Sequence, residues 1–207
     1  MAGLFITVEG IEGVGKTTNL EFIQNYLLEK NHEVILTREP GGTPLGENIR
    51  ELLLGHKHDG MSDDTELLLM FSARAEHLHK VIKPNLAKGR VVLCDRFTDA
   101  TYAYQGGGRG IALERISQLE QWVQEDLRPD LTILLDAPVE LALERAGKRS
   151  EPDRFEKEKH AFFERVRKMY YTLAEKAPNR YKIIDTAVNL SEVQAAITAE
   201  LDEYFQQ

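Results

Sequence analysis

The chain has 207 residues, 42% of them hydrophobic and 29% charged, a balance that fits one folded domain and excludes a disordered chain. Its 26 basic and 34 acidic residues leave a formal charge of −8, which argues against a nucleic-acid partner but leaves room for an anionic small molecule held by a few local cations. The single cysteine, Cys94, excludes an internal disulfide and fits a reducing compartment, and no apolar run approaches the ~18 residues of a membrane span.

The N-terminus leads at once into a strand-like run, so it reads as neither signal nor transit peptide. Leu4 to Glu9 is apolar and rich in β-branched residues, a buried strand. Gly10 to Gly15 is a turn-rich loop. From Lys16 to about Lys30, Leu20, Ile23, Leu27 and Leu28 recur at helical spacing. A second strand spans Glu33 to Thr37, followed by the loop Arg38 to Thr43. Helices are expected over about 44–56 and 63–88, and a third strand over Arg90 to Asp95. The stretch 98–110 ends in the glycine-rich run Gly106 to Gly110. A helix at about 112–126 precedes a fourth strand, Leu131 to Asp136. A helix at about 139–146, a charged break at 147–154, a helix at about 155–176, a fifth strand at Tyr181 to Asp185 and a final helix from about 190 complete the chain. Strands alternating with helices imply an α/β fold, a parallel sheet with helices on both faces. One domain over 1–207 is expected, with an insertion at about 145–156.

Gly10-Ile11-Glu12-Gly13-Val14-Gly15-Lys16-Thr17 matches G-x-x-x-x-G-K-[ST], with a strand before it and a helix after it. Glycines let successive N–H groups converge on an anion, and the following helix presents the positive end of its dipole. Lys16 adds a charge at the β/γ phosphates of a nucleoside triphosphate, and Thr17 a hydroxyl for Mg²⁺. Two strands end in aspartate, Asp95 and Asp136. In open α/β sheets such ends line the ligand crevice, so Asp95 is a candidate for holding the metal through water. Arg96, next to it, supplies a guanidinium for phosphate. Phe71 and Arg74, three apart, share a helix face, where a ring stacks on a base and a guanidinium donates to a base carbonyl. Phe71 also fits as a core residue continuing the run from Leu67, and Asp136 as a structural strand end. Cys94 reads as inert within a buried strand, and the six histidines as surface or helix-face residues with no metal-ligand set.

Taken together, Gly10 to Thr18, Thr37-Arg-Glu-Pro-Gly-Gly-Thr43, Phe71 to Arg74, Asp95-Arg96 and Ala103-Tyr-Gln-Gly-Gly-Gly-Arg-Gly110 resemble the bacterial thymidylate kinases, in order and spacing, over essentially the whole chain. The resemblance implies a P-loop nucleoside monophosphate kinase-like fold, with five parallel strands flanked by helices. It implies transfer of phosphate from ATP to dTMP, with Mg²⁺, by a cytoplasmic homodimer in dTTP synthesis, with no nucleic-acid or membrane partner. By that resemblance, Gly10 to Thr18 bind ATP, Phe71 stacks on thymine, Arg74 donates to a thymine carbonyl, and Thr101 and Gln105 read the remaining edge. Tyr104 packs on the deoxyribose. Glu12 lies near the sugar 3′-hydroxyl or the metal, and Arg38 and Arg96 clamp the acceptor phosphate. The phosphate loop has no arginine among Ile11, Glu12, Gly13 and Val14, so the chain resembles the type whose catalytic arginine lies in a lid. Arg149 or Arg154 is then the transition-state cation, with Arg145 on the adenine side. Two other readings follow from the phosphate loop: a nucleotide-driven switch, which lacks here the N-K-x-D string of guanine-specific switches, and a deoxynucleoside kinase with Glu12 or Asp95 as base.

Overall fold

The structure, a computed structural model, describes residues 3–55, 60–147, 154–155 and 158–206. Five strands, β1 (Leu4–Glu9), β2 (Val34–Arg38), β3 (Val91–Asp95), β4 (Leu131–Asp136) and β5 (Tyr181–Asp185), form one parallel sheet in the order β2-β3-β1-β4-β5. Both faces are covered. Phe5, Val92 and Cys94 turn one way, toward Leu78 and Ile82. Ile6, Val8 and Leu93 turn the other way, toward Leu20, Ile23 and Leu27 of helix α1 (Lys16–Glu29). In the inner strands β1, β3 and β4, burial on both faces explains why they read as continuous apolar runs rather than alternating ones.

The register aligns the carboxyl ends that matter. Val8 pairs with Asp95, and Arg38 pairs with Asp95 from the other side. Glu9, Arg38 and Asp95 therefore reach one edge of the sheet together, beside the point where the chain order reverses. Helix α2 (Pro44–Leu54) starts on Thr43, whose side chain accepts from the Gly46 amide, with Pro44 in the first turn. Helix α3 (Asp63–His77) starts on Ser62, with Asp63, Asp64 and Glu66 against the positive end of its dipole.

The helix expected over 63–88 is interrupted. After His77 it passes into a π-helical turn, Leu78–Ile82, and then a short helix α4 (Lys83–Leu86) that contains Pro84. Pro84 has no amide hydrogen, so an unbroken α ladder cannot run through it. The stretch 98–110 is more regular than its glycines suggest. Helix α5 (Thr98–Thr101) continues as a π-helical segment, Tyr102–Gly108. Helices α6 (Leu113–Gln124), α7 (Val139–Ala146), α8 (His160–Lys176) and α9 (Leu190–Gln206) follow. The helix expected from about 155 thus begins five residues later. No helix among the described residues is long and apolar enough to cross a membrane.

Candidate active site

A cavity of about 250 Å³ opens at the carboxyl edge of the sheet, and Lys16, Thr17, Asp95, Arg96 and Arg74 all line it. At one end, the loop after β1 caps α1 with Gly15 in a left-handed conformation and no side-chain cap. The first amides of α1 are thus left without a side-chain acceptor, as an anion site requires. Lys16 Nζ donates to the carbonyls of Gly10 and Ile11, at 3.0 and 2.8 Å. Burial, and then the neighbouring Arg96 charge, push the Lys16 amine down to about 8. Asp95 Oδ1 is buried with no hydrogen-bond partner. An orphaned carboxylate oxygen and the Thr17 hydroxyl on one cavity wall fit the hard oxygen donors that Mg²⁺ requires. Asp136 has no such vacancy. Arg167 donates to it twice at 2.7 Å and Tyr171 once at 2.8 Å, so it is a structural strand end.

Arg96 sits at the centre with φ of 66°, a conformation non-glycine residues adopt only when their surroundings enforce it. Two amides enforce it here. The Arg96 amide donates to the Val8 carbonyl at 3.0 Å, and the Phe97 amide to Glu9 Oε1 at 2.7 Å. Tyr170 of α8 donates to the other oxygen of Glu9 at 2.8 Å. Burial, and then Asp99, raise the Glu9 carboxyl to about 8. Arg96 Nη2 donates to Glu12 Oε1 at 2.8 Å, and its guanidinium lies 4.6 Å over the Tyr104 ring. The Tyr104 hydroxyl also donates to Glu12, at 2.7 Å. Burial raises the Glu12 pKa, but Arg96 and Lys16 outweigh it and hold the carboxyl below its ordinary value. Glu12 is therefore an ionised acceptor at neutral pH.

At the other end, Arg74 is buried. Its Nε donates to Glu39 Oε2 at 2.7 Å and its Nη2 to Thr101 Oγ1 at 2.9 Å, while Nη1 is buried without a partner. A buried unpaired donor is costly unless a ligand oxygen completes it. Thr101, Tyr104 and Gln105 share this wall.

Four expected positions differ. Phe71 does not line the cavity. It is 2% exposed, packed with Leu67, Ile111 and Ile116, and the Arg74 guanidinium lies 4.7 Å over its ring. Met70, four residues before Arg74, holds the cavity wall instead, because side chains at i,i+4 end about 40° apart around a helix and those at i,i+3 about 60°. Arg38 is exposed and bonded to Glu47 at 2.8 Å, away from the wall, whereas Arg50 of α2 lines the cavity. Burial, then Arg38 and Arg96, lower the Arg50 pKa. Arg154 donates to the Leu53 carbonyl at 2.8 Å and to the buried Glu66, which also binds Gln105 and Arg109. Its guanidinium is thus committed to the acceptor wall and not to the phosphate loop. His77, expected on an open helix face, is fully buried.

Arg145 donates to the Thr186 carbonyl at 2.8 Å, and its neighbour Ala146 lines the cavity. Arg149 lies outside the described residues, as do His56 and His58. Cys94 is buried and its thiol is pushed up by burial, as an inert core cysteine should be. Sequence reasoning missed Met70, Arg50, Glu39 and Glu66. Glu39 lay inside a quoted motif, and Met70 was one residue from the expected platform. Arg50 and Glu66 carried no local signal.

A parallel sheet of this order, with a phosphate loop between β1 and α1 and a second wall of arginines across the same cavity, is the fold of the P-loop nucleoside monophosphate kinases. A sequence model of the family "Thymidylate kinase" matches residues 8–197. The chain is 60% identical to the thymidylate kinase of Ectopseudomonas mendocina over 97% of its own length and 96% of that protein's. It is 59% identical to that of Pseudomonas syringae pv. tomato, over 98% and 97%. The crystal structure of thymidylate kinase from Ehrlichia chaffeensis superposes with a TM-score of 0.79 at 38% identity, covering 98% of this chain and 99% of that one. The chain belongs to the thymidylate kinase family.

Proposed function

We propose that this protein transfers the γ-phosphoryl group of Mg-ATP to dTMP, giving ADP and dTDP for dTTP synthesis in the cytoplasm. The observation that carries the reading is one cavity with two anion-seeking ends: the amides and Lys16 at one, Arg96 and Arg50 at the other, with the unpaired Nη1 of Arg74 beyond them. The acceptor phosphate is already an anionic nucleophile, so the chain supplies no base. Gly10 to Thr18 cradle the triphosphate, and Arg145 flanks the adenine. Thr17 and Asp95 would hold Mg²⁺, which neutralises charge on the transferring group when bound. Arg96 and Arg50 grip the acceptor phosphate, and Glu12 fixes Arg96 and Tyr104 in place. Tyr104 borders the deoxyribose, and Arg74, Thr101 and Gln105 read the base over Met70. Catalysis is in-line positioning plus charge stabilisation. Because Arg154 is anchored to Glu66, Arg149 becomes the stronger candidate for the lid cation, in an insertion at about 145–156 within a single kinase domain.

A homodimer is supported by apolar side chains left open on neighbouring helices: Leu52 of α2 at 41% exposed, Leu68 of α3 at 54% and Trp122 of α6 at 80%. The test is ADP release with Mg-ATP and one of dTMP, dUMP, thymidine, dCMP or no acceptor. Activity strongest with dTMP supports the assignment. Activity only with thymidine, or hydrolysis indifferent to acceptor, overturns it.

A further inference from the structure

His77 closes α3, and its imidazole is fully buried. Both ring nitrogens are engaged. Nδ1 lies 2.9 Å from Glu39 Oε1, and Nε2 lies 2.7 Å from Thr37 Oγ1. The other oxygen of Glu39 takes the Arg74 Nε at 2.7 Å. One carboxylate thus joins an imidazole to a guanidinium. Burial raises the Glu39 pKa, but Arg74 and then His77 outweigh it and hold the group ionised. An ionised carboxylate only accepts, so Nδ1 carries a proton toward Glu39, while Nε2 and the Thr37 hydroxyl share the second hydrogen bond.

The loop between β2 and α2 is shaped to this ring. Gly42 has φ of 75°, and a Cβ there would come within 2.5 Å of His77 Nε2 and 2.6 Å of Thr37 Oγ1. Only glycine lets the loop close over the imidazole. Glu39, three residues earlier on the same loop, is pinned from two sides. With His77 on one oxygen, the carboxylate presents its other oxygen to Arg74 as a fixed acceptor, whereas without His77 it would pivot. With Nε on Glu39 and Nη2 on Thr101, the guanidinium has one orientation, and its free Nη1 belongs to a residue of the cavity wall.

We infer that His77 is a positioning residue for base recognition: by clamping Glu39 it aims Arg74 at the carbonyl edge of the acceptor's pyrimidine, and so sets the preference for a carbonyl-bearing base over an amino-bearing one. His77 does not line the cavity. The inference rests on the base-reading role proposed above for Arg74. Thymine offers an acceptor oxygen where cytosine offers an amine. A fixed arginine donor rewards the first and leaves the second unpaired, whereas a loosened arginine discriminates less.

Asparagine places its amide nitrogen where Nδ1 was, and glutamine reaches toward Thr37 instead. The experiment measures kcat and KM for dTMP, dCMP and ATP, together with melting temperature, in wild type, His77→Asn, His77→Gln, His77→Leu and Arg74→Ala. His77→Gln and His77→Leu should raise KM for dTMP about tenfold, the scale of one charge-assisted hydrogen bond. They should shrink the dTMP-to-dCMP ratio in kcat/KM while leaving kcat and KM for ATP within about twofold. His77→Asn should restore both dTMP readouts to within about threefold of wild type, even though it melts no higher than His77→Gln. Equal losses in His77→Asn and His77→Gln, or a fall in kcat and in ATP affinity together, would mean that the ring only fills space, and would overturn the inference. If Arg74→Ala raises KM for dTMP while no His77 variant does, the inference fails and the base-reading role stands. If Arg74→Ala leaves KM for dTMP unchanged, the base-reading role itself is wrong.

Discussion

The two ends of the cavity are built in opposite ways. On the proposed reading, the donor end is one unbroken stretch, Gly10 to Thr17, whose backbone would do most of the binding. The proposed acceptor end is gathered from the loop after β2, from α2, from α3 and from the π-helical segment, and there side chains would do the binding. A site made of consecutive amides is specified by local conformation. A site made of converging side chains exists only after the helices have packed, and it depends on buried supports such as Glu39, Glu66 and His77.

Substitutions should break the two ends differently. The largest effect belongs to the charges shared with the transferring group. Lys16→Ala and Arg96→Ala should each lower turnover by at least about 100-fold, the loss of one preorganised stabiliser, in steady-state assays on folded protein. Near-normal turnover in either would contradict its placement. Next come the arginines of the acceptor end. Arg50→Ala should cost about 10- to 100-fold in kcat/KM for dTMP, the scale of hydrogen bonds to a charged group. Arg38→Ala, at an exposed pair with Glu47, should cost only a few-fold. An inverted order would restore Arg38 as the clamp. The neighbours Met70 and Phe71 should separate smaller effects. Met70→Ala should raise KM for dTMP a few-fold with modest loss of stability. Phe71→Ala should instead lower unfolding free energy in urea by about 3–5 kcal/mol, a buried aromatic truncation. The last effect, on the pH dependence of stability rather than on activity, comes from the brace between the ends. Glu9 keeps its proton up to about pH 8 in the folded state and loses it near 4.5 when unfolded. Its contribution is therefore complete below about pH 4.5 and declines as pH rises to about 8. Glu9→Gln, which mimics the protonated form, should flatten that decline in denaturation series between pH 5 and 8. An unchanged slope would show that Glu9 is already ionised.

The same contrast decides how much the sequence revealed. Strands β1 and β4 lie where their apolar runs placed them, because burial on both faces leaves a pattern that turns and glycines bound sharply; the edge strand β5 lies where expected too, though only partly buried. The phosphate loop was legible for the same reason, since each residue's role follows from its neighbours. The glycine run after Gln105 misled because glycine normally marks a break. Here a Cβ on Gly108 would lie 2.4 Å from the Phe162 ring, so the run serves close packing of α8 on a continuing helix. Helix α3 shows the limit most clearly. Met70 and Phe71 are adjacent, and only the docking of α6 against one side of α3 decides that the phenyl ring faces Ile116 and the thioether faces the cavity. Arg50 was invisible because an arginine amid a helix looks the same whether it meets water or phosphate.

Arg145, in the last turn of α7, donates to the Thr186 carbonyl, and Arg154 donates to Glu66 and the Leu53 carbonyl. On the proposed reading, nucleotide and acceptor share one cavity. Linkage then requires that any change ATP makes in dTMP affinity be matched by an equal change that dTMP makes in ATP affinity. A single compound tethering adenosine to thymidine through a phosphate bridge of suitable length would bind far more tightly than either half, since the second half docks at high effective concentration.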